Sequence, residues 1–204
     1  MRGLEETYSD RYRQLLVPIA NKLEEFINDC LSSCQRIDRV CTRAKSISRF
    51  MQKALKQEDG RPKYTDPLNQ IQDQIGARIV TFYSSDVERV AEEIRRYFRP
   101  IENRILVPDA ENEFGYVGQH FILLLPSDVL AVVPSTDDAP NFFELQIKTL
   151  FQHAWAEAEH DLGYKTSKSL TSLQKRKIAF TAAQAWGADQ IFDELFRELA
   201  STGP

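Results

Sequence analysis

The chain has 204 residues, a hydrophobic fraction of 42%, a charged fraction of 27% and a formal net charge of −4. This is the profile of a soluble globular protein of about one domain's length, with no global field drawing it to nucleic acid or anionic lipid. No run approaches the roughly 18 apolar residues of a membrane span, the opening MRGLEETYSDRYRQ lacks the apolar stretch of a secretory signal, and Cys30, Cys34 and Cys41 are odd in number without CxxC spacing, so a cytoplasmic protein with reduced thiols and no membrane partner is expected.

From Tyr8 to Leu31, apolar residues recur on one helical face, at Tyr12, Leu15, Leu16, Ile19, Leu23, Phe26, Ile27 and Cys30. Pro18 interrupts them and predicts a kink or a fresh start. IDRVCTRA alternates as a strand. SISRFMQKALKQ returns to helix with Ser46 as its cap. EDGRPKYTDPLN is a loop by its glycine and two prolines. ARIVTFY reads as a buried strand, SDVERVAEEIRRYF as an amphipathic helix and ENRILV as a short strand. PDAENEFG is a polar loop and YVGQHFILLL a strand. VLAVVP and FFELQIK are expected to form a hairpin across STDDAPN. Helix resumes from Thr149 to His160, and a last helix spans roughly Leu173 to Leu199, with Ala182, Ala185, Ala188, Phe192, Leu195 and Leu199 on one side. Strands interleaved with helices suggest layering around a mixed sheet. Neither GxGxxG nor GxxxxGK followed by Ser or Thr occurs after a strand, so phosphates would be held by side chains.

Four stretches carry candidate chemistry. In TRAKSISRFMQK, Lys45, Arg49 and Lys53 recur every four residues after Arg43; beside a helix N-terminus they would cradle a polyphosphate, though a solvated basic face has the same spacing. In DQIGARIV, Asp73 enters a strand on which Gly76 and Arg78 share a face, and an Asp there suits Mg²⁺ bound with substrate phosphates. In FGYVGQH, Tyr116, Gly118 and His120 alternate onto one side, and a tyrosine beside a bare glycine offers a surface for a base. In FELQIKT, Glu144, Gln146 and Lys148 line one strand face, exposed or facing a site. Phe151, Trp155, Ala158 and Leu162 form the apolar face of the helix that follows. His153, Glu157 and His160 share a helix face, but no HExxH or cysteine cluster completes a zinc site. His160-Asp161 alone does not make a metal phosphohydrolase, which needs further His and Asp.

Together these stretches resemble the RelA/SpoT synthetase domain, the catalytic unit of alarmone (p)ppGpp synthetases, from about Arg43 to Lys165. The matching pieces are R-A-K with the following Lys53, D-Q-I-G-A-R, G-Y-V-G-Q-H and E-L-Q-I-K-T. The ending W-A-E-A-E-H-D-L-G-Y-K resembles the small single-domain synthetases. The resemblance implies an α+β fold, a nucleotidyltransferase-like mixed five-stranded sheet flanked by helices. It implies one domain over 1–204, with a core at about 36–166, an N-terminal helix at 4–34 and a C-terminal helix at 171–200.

The implied reaction moves the β,γ-pyrophosphate of ATP to the 3′-hydroxyl of an acceptor and releases AMP. By the resemblance, Asp73 and Glu144 are catalytic and hold Mg²⁺, Glu144 also accepting the hydroxyl proton. Arg43 and Arg78 would sandwich the adenine, and Lys45 and Lys53 would hold the ATP phosphates. Tyr116 would stack on the acceptor base, with His120, Gln146 and Lys148 positioning the acceptor. The family often has Ser where Arg49 and Gly118 stand. Where guanine-nucleotide users carry basic residues before G-Y, this chain has VPDAENEF, whose Asp109, Glu111 and Glu113 would repel a polyphosphate acceptor. A guanine nucleotide is the first acceptor on family grounds. The 3′ end of tRNA is the alternative, with Lys165, Lys168, Lys175, Arg176 and Lys177 placed to follow its backbone. Adenine alarmones and a catalytically silent nucleotide-binding module are further readings. The toxic branch of the family implies an antitoxin partner, and small synthetases imply a homo-oligomer.

Overall fold

The computed structural model describes residues 3–105, 118–165 and 170–201. The chain begins with α1 (Leu4–Arg11), which runs through a π-helical turn at Tyr12–Leu16 into α2 (Val17–Cys30). Pro18 thus sits in the first turn of α2, and the helix neither breaks nor restarts there. Pro18 has no N–H to give, and the preceding turn widens, with the Val17 N–H donating to the carbonyl of Tyr12. The face predicted for this helix packs inward: Leu16, Ile19, Leu23 and Ile27 are fully buried, each contributing about 2 kcal/mol by area.

Strand β1 (Ile37–Ala44) leads to α3 (Ile47–Ala54). Ser46 occupies the cap position of α3 but makes no side-chain bond to the helix backbone; its hydroxyl lies 3.4 Å from that of Ser48 instead. The expected loop contains a small hairpin, β2 (Gln57–Glu58) and β3 (Arg61–Pro62). Asp59 and Gly60 form its turn, both at positive φ (51° and 75°), which is the Asp-Gly geometry of a type I′ hairpin. Short α4 (Pro67–Gln70) and a 3₁₀ turn at Gln72–Gln74 precede β4 (Ile75–Thr81). Then follow α5 (Ser84–Tyr97), β5 (Pro100–Ile105), β6 (Gln119–Leu124), α6 (Ser127–Leu130), β7 (Phe142–Thr149), α7 (Leu150–Lys165) and α8 (Ser172–Ser201).

The expected hairpin between VLAVVP and FFELQIK does not form. Val129 and Val133 are both buried, and their spacing of four is satisfied by a helical turn rather than a strand. Backbone bonds from Val129 and Leu130 to the carbonyl of Pro126 close that turn. The β-branched composition that suggests a strand here is overridden by tertiary burial.

The sheet is mixed and five-stranded, in the order β1-β4-β7-β6-β5. Only β4 and β7 pair in parallel; the other neighbours are antiparallel. One sheet face carries Ile75, Ile79, Phe121, Phe143, Leu145 and Ile147, all essentially buried, against which α2 and α5 pack. Helix α1 lies on α3 through a stack of Tyr8 on Phe50 at 3.6 Å. The expected apolar side of α8 is only partly its buried side: Ala182 is buried and Ala185 and Ala188 are half-buried, but Phe192, Leu195 and Leu199 are exposed, while Asp189 and Asp193 are buried. Asp193 accepts bonds from the backbone and hydroxyl of Ser85, so α8 is fastened to α5 by polar anchors. On α7, Phe151 stacks on Phe192 and Trp155 donates to Thr181, whereas Ala158 and Leu162 remain exposed. Among the described residues no helix is long and apolar enough to cross a membrane.

Candidate active site

The strand register brings the separate sequence stretches together. Arg43, Gly76 and Glu144 stand opposite one another across β1, β4 and β7. The next row on the same face holds Cys41, Arg78, Gln146 and His120. Since alternate strand residues share a face, both rows look away from the hydrophobic layer. All of these except His120 line a cavity of about 460 Å³ together with Lys45, Arg49, Asp73 and His153, a size suited to a small-molecule ligand. A Cβ on Gly76 would meet nothing within 4 Å, so this row is open above the strand.

Asp73 is gripped by two lysines, with Lys45 Nζ 2.8 Å from one carboxylate oxygen and Lys53 Nζ 3.0 Å from the other. Burial pushes the Asp73 carboxyl up, but the two ammonium groups outweigh it and hold its pKa below the ordinary range. Lys45 is fixed through its backbone, whose N–H donates to Gln74 and whose carbonyl accepts the Tyr8 hydroxyl at 2.8 Å. The π-turned N-terminal helix therefore positions a site cation. Of the expected lysine-arginine ladder, Lys45 precedes the helix and Arg49 and Lys53 lie on it, yet all three approach the same region.

Glu144 lies 3.2 Å from Nδ1 of His120 and accepts a 3.3 Å bond from Gln146. The His120 contact lowers its pKa, burial opposes this, and Gln146 lowers it further. The other ring nitrogen of His120, Nε2, is buried and meets no hydrogen-bond partner among the described residues. Lys148 is nearly buried, and its pKa is depressed by burial and then by Arg78. Its stem lies on Gly118, where an added Cβ would sit 2.6 Å from Lys148 Cγ and 2.3 Å from the Ile147 carbonyl. Gly118 therefore admits close strand approach and is not the open platform expected beside Tyr116. Tyr116 and the acidic loop at 107–114 lie outside the described residues.

Arg43 and Arg78 both border the cavity. Burial, and then the charges of Arg49 and Arg78, lower the Arg43 pKa. Arg78 Nη1 donates to Glu157 and lies 3.1 Å from His153 Nδ1. The shared face of His153 and Glu157 thus serves an arginine. Among the described residues no cluster of three or more His, Cys, Asp or Glu is arranged to hold a metal. Asp73 and Glu144 both face the cavity, and Glu144 feels the charge of Asp73. Two carboxylates completed by phosphate oxygens are a donor set that Mg²⁺ accepts.

Cations around two carboxylates, with no glycine-rich phosphate loop among the described residues, form a cluster suited to a polyanion held by side chains. Residues 42–169 match the family described as the region found in RelA / SpoT proteins. The chain is 26% identical over 168 residues to the GTP pyrophosphokinase YjbM of Bacillus subtilis (strain 168), covering 80% of this chain and 74% of that protein. Small alarmone synthetase 1 of Bacillus subtilis superposes with a TM-score of 0.74 at 24% identity, over 95% of this chain and all of that one. The same synthetase also matches in its forms bound to its product pppGpp (TM-score 0.69) and to AMPCPP (TM-score 0.67). The chain belongs to the RelA/SpoT family, and it is an enzyme domain of the pyrophosphokinase type with the fold of the small alarmone synthetases.

Proposed function

We propose that this domain transfers the β,γ-pyrophosphate of ATP to the 3′-hydroxyl of a guanine nucleotide and releases AMP. The observation that carries this reading is Asp73, held between Lys45 and Lys53, beside the cavity that Glu144 also faces. The reading is supported by YjbM, a GTP pyrophosphokinase, and by the pppGpp and AMPCPP complexes of a synthetase with the same fold. Lys45 and Lys53 exchange Asp73 for the ATP phosphates. Arg43 and Arg78 flank the adenine, a role suited to planar guanidinium groups. Gln146, His120 and Lys148 place the acceptor, with Tyr116 stacking on its base.

The acceptor's 3′-oxygen bonds to the β-phosphorus while the bond from that phosphorus to the α,β-bridging oxygen breaks. AMP departs with the bridging oxygen, and Glu144 takes the hydroxyl proton. The contacts of Glu144 keep it ionised and able to accept a proton, but the lowered pKa leaves it a weak base that needs an acidified hydroxyl. Mg²⁺, which Asp73 and Glu144 would hold, supplies charge to the phosphates and acidifies the hydroxyl when bound. The rest of the catalysis is positioning and charge neutralisation, which dominate phosphoryl transfer.

A second acceptor, the 3′ end of tRNA, is favoured by the carboxylates Asp109, Glu111 and Glu113 before Tyr116, which would repel a polyphosphate acceptor, and by the exposed Lys175, Arg176 and Lys177 at the start of α8. The test is incubation with γ-labelled ATP and, separately, GDP, GTP, ADP and deacylated tRNA. Label in GDP or GTP supports the first reading. Label in tRNA alone replaces it with the second, label in ADP alone makes the domain an adenine-alarmone synthetase, and label in none makes it a silent binding module.

A further inference from the structure

Arg78 reaches the cavity with its edge already engaged. Its Nη1 serves the Glu157 carboxylate and the Nδ1 of His153 together. Those partners are one turn apart on α7, with the ring nitrogen 4.0 Å from the carboxylate. Helix α7 begins at a fixed point. Thr149 and Gln152 exchange bonds as a capping box, the Thr149 N–H donating to the Gln152 side chain and the Gln152 N–H to the Thr149 hydroxyl. Thr149 also donates to Asp189, buried on α8. His153 and Glu157 thus project from a helix whose origin is tied to the last residue of the Glu144 strand.

Arg78 needs such help. It shares the cavity with Arg43 and Arg49, and the Arg43 pKa is lowered first by burial and then by the charges of Arg49 and Arg78. A long side chain facing like charge loses rotamer freedom when ordered and is pushed away from the very space it would occupy. Glu157 supplies the opposing charge, and its own pKa is lowered by Arg78 against the effect of burial. The N–H bonds of a guanidinium lie in its plane, so bonding at the edge leaves the flat faces open. His153 is held toward its neutral form by burial and by Arg78, and neutral Nδ1 can accept the bond.

We propose that Glu157, assisted by His153, is a positioning residue that presets the plane of Arg78 for stacking on the nucleotide base. This rests on the base-stacking reading of Arg78 given above. The pair acts on the base and leaves the polyphosphate to Lys45 and Lys53.

The test measures affinity for ATP and for inorganic tripolyphosphate by calorimetry, with steady-state kinetics, in wild type, Glu157→Ala, Glu157→Gln, Glu157→Asp, Arg78→Ala and the Arg78→Ala/Glu157→Ala double variant. Loss of one charge-assisted bond predicts roughly tenfold weaker ATP binding in Glu157→Ala, with partial retention in the Gln and Asp variants. Tripolyphosphate affinity should stay within about twofold and kcat at saturating ATP within about threefold, because neither depends on base contacts. In the Arg78→Ala background the Glu157 substitution should add nothing. The proposal is overturned if Glu157→Ala binds ATP as wild type does, if tripolyphosphate weakens equally, or if the loss persists without Arg78. Wild-type affinity in Arg78→Ala would overturn the base-stacking reading itself and this inference with it. A defective Arg78→Ala beside a normal Glu157→Ala sinks the inference alone.

Discussion

Replacing Asp73 by Asn should separate nucleotide binding from catalysis, in opposite directions. Asp73 is 22% exposed, and its lysine partners are 18% and 32% exposed, so these pairs lie between surface and interior. Exposed pairs contribute about 0.2–1 kcal/mol, and breaking fully buried ones costs about 3–5 kcal/mol. About 1 kcal/mol for each lysine is a fair intermediate, or roughly 2 kcal/mol that ATP must overcome to recruit both. The Asn variant removes that competition and the repulsion of the carboxylate for phosphate. Without divalent cation its ATP affinity should rise roughly thirtyfold. With Mg²⁺ its turnover should fall by about a thousandfold or more, since one metal-holding carboxylate is gone. Calorimetric titration with ATP in EDTA, paired with labelled-ATP turnover in Mg²⁺, reads both effects. Weaker metal-free binding in the variant, or turnover near wild type, would refute the assignment of Asp73 as a metal-holding group that also restrains the lysines.

Glu144→Gln keeps the size of the side chain and removes the base, so turnover should fall by about 10²–10⁴ with ATP affinity little changed; single-turnover kinetics would show the loss in the chemical step. The folded-state pKa of Asp73 lies below its ordinary 3.8, so the stability it confers is complete above that value and is lost as pH falls below it, through the folded-state value. Acid titration followed by circular dichroism should therefore show a shallower loss below about pH 4 in Asp73→Asn. Thr149→Val removes both the α7 cap and the donor to buried Asp189 and should cost about 2–4 kcal/mol in urea unfolding, with Thr149→Ser recovering most of it. Tyr8→Phe deletes only the bond to the Lys45 carbonyl; it should cost about 1 kcal/mol and raise KM for ATP more than it lowers kcat.

Local patterns carried most of the elements and few of their partners. The strand at Ile37–Ala44 follows from its alternation and α5 from its apolar face, because each buries one side. At Val129 to Pro134 the composition pointed to a strand, while the spacing of Val129 and Val133 suited a turn. The type I′ hairpin was present in the sequence as Asp59-Gly60, inside what reads as a plain loop. The motif residues were legible one stretch at a time. Their assembly depends on β7 inserting between β4 and β6, which no local spacing encodes. The helix face shared by His153 and Glu157 was visible, but the sequence weighed it only as part of an incomplete zinc set. Its real partner, Arg78, lies 75 residues from His153 in the chain, beyond any helical periodicity. The Thr149–Gln152 capping signal was also visible, as Thr followed three residues later by Gln.

The charge arrangement explains how an acidic chain can carry a cationic cavity. The net charge of −4 describes the whole surface, whereas the cavity gathers Arg43, Lys45, Arg49 and Arg78. The fold tolerates this concentration by lending carboxylates to part of it, Asp73 to the lysines and Glu157 to Arg78. The neutralisation is incomplete, since Arg43 and Lys148 remain depressed by burial and by neighbouring cations. Burial is the larger cause of each depression, and the part that comes from neighbouring cations is repulsion that a bound polyanion would relieve. A ligand that relieves it binds the folded state in preference to the unfolded chain, and so stabilises the protein. That repulsion is lodged on the sheet face that also carries Glu144.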